Sequence, residues 1–114
     1  MKLLTLKEIG KLFFETSRIS EIEECLWEGC DGDGYYYPYD ENGMSEENVL
    51  ELVQKLKTNY PDTVIDSEEE GYKEIAIYPQ SVEAWAYIYS YIYEKCWGHG
   101  QLYPLLQKRP ARAK

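Results

Sequence analysis

The stretch Ser81-Val82-Glu83-Ala84-Trp85-Ala86-Tyr87-Ile88-Tyr89-Ser90-Tyr91-Ile92-Tyr93-Glu94-Lys95-Cys96-Trp97 decides how the rest of the chain must be arranged. Ser81 is a favourable N-cap, and Val82, Trp85, Tyr89, Ile92 and Cys96 recur at helical spacing, which predicts a helix to about Trp97 with one shared apolar face. Tyr87, Tyr91 and Tyr93 occupy its other faces. A helix that is aromatic nearly all round either sits at the centre of a fold or presents a contact surface.

Upstream, Thr63-Val64-Ile65-Asp66 and Tyr72-Lys73-Glu74-Ile75-Ala76-Ile77-Tyr78 flank the turn Ser67-Glu68-Glu69-Glu70-Gly71. Their β-branched content predicts an antiparallel hairpin over residues 63–78 with an acidic, exposed turn. Ser45 caps the clearest helix, with Glu46 and Glu47 at its positive dipole end and Lys55 and Lys57 near the other. Val49, Leu52, Val53 and Leu56 form its buried stripe, and Asn59 and Pro61 stop it. Across residues 30–44 glycine, aspartate and tyrosine replace the helical period. Within that region Tyr35-Tyr36-Tyr37-Pro38-Tyr39 reads as an edge strand over residues 35–39, because Pro38 has no amide to give to a ladder.

At the start of the chain, Thr5-Leu6-Lys7-Glu8 matches a capping box and predicts a helix to about Glu15. Leu6, Ile9, Leu12, Phe13 and Thr16 make its stripe, while Gly10 weakens it by about 1 kcal/mol relative to alanine. Ser20-Glu21-Ile22-Glu23 repeats the box and opens a short second helix ending near Gly29. The fold class expected is α+β: one domain over residues 1–107 with about four helices and a short antiparallel sheet, then a basic tail over residues 108–114 that is expected to lack fixed structure.

Charge is segregated along these 114 residues, whose net charge is −9. From Glu15 to Glu51 twelve acids face a single base, Arg18, whereas the tail holds Lys108, Arg109, Arg112 and Lys114 and no acid. Such a field repels phosphate backbones and attracts cationic surfaces. Direct nucleic-acid binding is therefore not expected, although tyrosines can stack on bases beside a positive groove. No apolar run approaches the roughly 18 residues of a membrane span. Lys7, Glu8 and Lys11 interrupt the N-terminal apolar run before any small-residue cleavage site. An odd count of three cysteines without an export signal favours reduced thiols or metal ligands, and a cytoplasmic location.

The most specific chemical pattern pairs Cys25 and Cys30 with Cys96 and His99, using every cysteine and the single histidine. Together they form a Cys3His set of the kind that holds structural zinc, against which stands the helical stripe that explains Cys25 and Cys96 as small buried residues. A thiol enzyme would need a separately held base and an orienting third group, and neither can be named. Asp31-Gly32-Asp33-Gly34 suggests a calcium loop, but Tyr35 and Asn42 stand where that loop needs an oxygen side chain and a bidentate glutamate. The glycines are not followed by the Lys-Ser or Lys-Thr pair of a phosphate-cradling loop. No catalytic residues are assigned.

The expected function is that of a non-enzymatic acidic binding protein docking on a basic protein. In its concrete version the protein is an inhibitor that occupies its target's nucleic-acid groove, a nucleic-acid mimic by analogy of charge and size with small anti-defence proteins. Glu21, Glu24, Glu28, Asp31, Asp33, Glu46 and Glu47 are the expected contacts, with Tyr35, Tyr36 and Tyr37 as apolar anchors. The competing expectation is a zinc-stabilised subunit of a larger assembly, held through a face made by Tyr87, Tyr91 and Tyr93. Acidity that serves only solubility is the plain alternative to both.

Overall fold

Thr5 starts the first helix with a complete capping box: its hydroxyl accepts from the Glu8 amide at 3.1 Å, and its own amide donates to Glu8 Oε1 at 2.9 Å. In the computed structural model, which describes residues 2–28 and 34–96 apart from the side chains of Trp27, Glu28 and Glu68, this helix is α1, Leu6–Ile9. It continues as a π-helical turn, Gly10–Phe14, and ends at Glu15 in the left-handed conformation (φ 56°, ψ 39°). The consecutive rings of Phe13 and Phe14 both reach Tyr89, with centroids 4.8 and 5.5 Å away and edge-on geometry.

Helix α2, Ile19–Glu28, begins one residue before the expected Ser20 cap. The Arg18 carbonyl already accepts from the Ile22 amide at 3.0 Å, which places Ser20 inside the helix. The turn before it is fastened by Thr16, whose hydroxyl accepts from the Arg18 amide at 3.2 Å and donates to Glu21 Oε1 at 2.6 Å.

The expected strand over residues 35–39 shrinks to one residue. Tyr36 exchanges two backbone hydrogen bonds with Ile77, each 2.8 Å, and Pro38 then opens helix α3, Pro38–Asn42, which Gly43 closes at positive φ. Proline at the first helical position lacks only an amide that would have been unpaired there. Helix α4, Glu46–Asn59, has the Ser45 cap and buries Val49, Leu52, Val53 and Leu56 as expected.

The hairpin is antiparallel but shorter than its β-branched content suggests: β1 is Val64–Asp66 and β2 is Ala76–Tyr78, with Ile65 opposite Ile77. Residues Glu68–Glu70 and Tyr72–Glu74 form 3-10 turns instead of extending the strands. Tyr72 packs edge-on against Tyr39 of α3 at 5.5 Å, and Lys73 Nζ lies 5.1 Å from the same ring, so contact with α3 draws this segment out of the sheet. The chain is an α+β domain.

Helix α5, Val82–Lys95, takes the central place, with α1, α2 and α4 packed around it. Trp85, Tyr89 and Ile92 are core residues as expected. Tyr87 and Tyr91 are buried as well, at 8% and 0% exposure, whereas Tyr93, the third residue of the expected assembly face, is half-buried. The Tyr91 hydroxyl donates to Glu51 Oε1 at 2.6 Å and lies 3.1 Å from the Asn48 carbonyl, which tethers α5 to α4. No helix among the described residues is long and apolar enough to cross a membrane.

Candidate docking groove

The N-terminal segment is held against α5 by a bond that spans nearly the whole chain. The Leu4 amide donates to Ser90 Oγ at 2.9 Å, and that buried hydroxyl donates in turn to the Ala86 carbonyl at 2.9 Å. Leu4 and Leu6 are thereby set beside the first turns of α5, with α2 on the other side. The result is an open groove of about 770 Å³. Its apolar lining is Leu4, Leu6, Val82 and Ala86, each half-buried, and its acidic lining is Glu23, Glu24 and Glu83, each exposed. Among the described residues no lysine or arginine lines it. Three carboxylates beside apolar surface suit a cationic, partly apolar segment better than a neutral or anionic one.

The expected contact residues are distributed over several elements. Glu24 lines the groove. Glu21, one turn earlier on α2, is half-buried and engaged locally: besides the Thr16 hydroxyl it faces Arg18 at 3.2 Å, so its charge is partly neutralised in place. Glu46 and Glu47 are exposed in the first turn of α4, where they complement the helix dipole. The side chain of Glu28, and Asp31 and Asp33 entirely, lie outside the described residues.

The tyrosine triplet is split. Tyr36 is in the core at 0% exposure, its hydroxyl bonded to Asn42 Oδ1, and so it is no docking anchor. Its backbone pairing with Ile77 turns its side chain inward, which sends its two neighbours to the opposite face. Tyr35, 43% exposed, packs edge-on against the half-buried Tyr37 at 5.2 Å and lies 5.9 Å from Tyr78. Burial, with the neighbouring Tyr78 and Tyr35 hydroxyls adding to it, pushes the Tyr37 hydroxyl above the ordinary tyrosine range.

Of the expected metal set, Cys25 sits half-buried on α2 and Cys96 half-buried at the end of α5, both as thiols, while Cys30 and His99 lie outside the described residues. Among the described residues no three His, Cys, Asp or Glu side chains are grouped to hold a metal ion. Burial pushes the Cys96 thiol up to about 11, away from the thiolate that nucleophilic chemistry uses.

Glu23 and Glu83 are the groove residues that sequence reasoning missed. Nothing in the sequence sets either apart from the other exposed helix acids. The groove that joins them is produced by the Leu4 to Ser90 bond, which no local pattern announces. The chain matches no family model, no curated protein and no solved structure.

Proposed function

We propose that the protein is a non-enzymatic binding protein that docks on a basic protein through the groove between α2 and the start of α5. The observation that carries this is the combination of apolar lining with Glu23, Glu24 and Glu83 and no described cation. A partner segment with apolar side chains between lysines or arginines would bury the former and pair the latter. The net charge of −9 supports the same partner, since it accelerates encounter with a cationic surface and repels phosphate.

In its narrower form the proposal makes the target a nucleic-acid-binding protein, with these carboxylates standing where phosphates would lie, so that the protein acts as an inhibitor. A cytoplasmic location goes with it. The test is capture of partners from the source cells, followed by salt and competition titrations of the purified pair. A basic partner released as ionic strength rises, when the Debye length contracts to about 8 Å near physiological salt, is the expected result. Displacement by the partner's own nucleic acid supports the narrower form. A partner that is acidic, or whose binding ignores salt, contradicts the proposal.

A further inference from the structure

A second depression, of about 440 Å³, adjoins the groove at Leu4, which lines both. Lys2, Glu8, Lys11, Leu12, Tyr93 and Glu94 also line it, so it lies toward the end of α5 where the described chain stops at Cys96. The two depressions together follow α5 from Tyr93 back to Val82, a span of about 16 Å at the rise of an α-helix. Leu4, Leu12 and Tyr93 come first along this path, among the mixed charges of Lys2, Glu8, Lys11 and Glu94, and the carboxylates of Glu23, Glu24 and Glu83, with no described cation beside them, come at its far end.

The remaining sequence has the complementary order. Leu102-Tyr103-Pro104-Leu105-Leu106 is apolar, and Lys108, Arg109, Arg112 and Lys114 follow it with no acid among them. We propose that the occupant of this path is the chain's own segment 102–114, with its leucines over Leu4, Leu6 and Val82 and its bases against Glu23, Glu24 and Glu83.

The reach suffices. Leu102 is six residues beyond Cys96, up to about 20 Å of extended chain, and Lys108 is twelve beyond, up to about 40 Å. Measured from Cys96, Val82 at the far end of the path is about 21 Å away, within the limit for Lys108, while Leu102 reaches the nearer part of the path around Leu4. An intramolecular ligand needs little intrinsic affinity, because a short connection holds it at an effective concentration near the millimolar range. The segment is then a built-in competitor for the basic partner; that consequence rests on the binding function proposed above, whereas the contact itself does not.

The test uses the purified full-length chain without any partner, carrying photoreactive benzoylphenylalanine in place of Leu105. Irradiation at low protein concentration should give cross-links within one molecule, to peptides containing Leu4, Leu6, Val82 or Ala86. In the same chain with E23K, E24K and E83K the cross-linked fraction should fall about tenfold, the combined effect of losing three surface ion pairs. Circular dichroism confirms that this variant is folded. Cross-links elsewhere in the chain, only between two copies, or undiminished in the triple variant overturn the proposal, as does their absence. Because no partner is present, such a failure leaves the binding function untouched, and a failure of partner binding leaves the cross-link intact.

Discussion

Tyr36 shows how much can turn on one hydroxyl. It is fully buried, and it donates to Asn42 Oδ1 inside the domain. Tyr36→Phe leaves that buried acceptor unpaired, and the loss should be about 1 to 3 kcal/mol of unfolding free energy in urea titrations. A stability unchanged within error would mean that the bond contributes nothing. Trp85, 1% exposed in the first turn of α5, should be more demanding: Trp85→Ala removes a large core side chain and should destabilise by about 3 to 5 kcal/mol. The Trp85 position was legible from helical spacing alone. The inward turn of Tyr36 was not, because in a run of tyrosines shifting the strand register by one residue exchanges the buried side chain for its neighbours, and composition carries no sign of which is inside.

Among the elements, the π-helical turn separates intrinsic preference from packing most clearly. On propensity alone Gly10→Ala would stabilise by about 1 kcal/mol. A methyl group there would lie under 3.0 Å from the Ile22 side chain and from the Thr16 carbonyl oxygen, where α1 and α2 approach each other. Overpacking of this kind usually destabilises by about 1 to 3 kcal/mol, so the net effect should be a loss, read as a lower urea midpoint. Glu15, five residues on, should respond in the opposite sense: it is held at φ 56°, and Glu15→Gly should raise the midpoint modestly because glycine carries no side-chain penalty there. The stripes of α4 and α5 and the caps at Thr5, Ser45 and Ser81 were legible because each depends on neighbours within a turn or two. The short hairpin, the one-residue bridge at Tyr36 and the groove were not, because Tyr72 against Tyr39, Tyr36 against Ile77 and Leu4 against Ser90 are contacts between distant segments.

For the whole molecule, stability should be greatest between two titrating edges. The hydrogen bond from Tyr91, then the nearby Lys95, hold the Glu51 carboxyl below its ordinary value against a smaller opposing effect of burial. The unfolded chain therefore takes up this proton first as pH falls, and the stabilisation present above the ordinary carboxylate range is lost on acidification through the folded value. Tyr91, Tyr87 and Tyr60 are displaced upward, in each case chiefly by burial. Their stabilisation is intact below the ordinary tyrosine value of about 10 and fades above it, where unfolding releases their protons. Urea midpoints measured across pH should fall at both ends, and Glu51→Gln should flatten the acid limb. Matched charge reversals distinguish docking in the groove from a general effect of net charge. E23K, E24K and E83K change the groove; E69K, E70K and E74K apply the same total charge change to exposed residues around the β1–β2 turn. Affinity for the captured basic partner, measured for both sets at one ionic strength, should drop about tenfold or more for the groove set and much less for the turn set. Equal losses would show that only net charge matters, and would contradict docking in the groove.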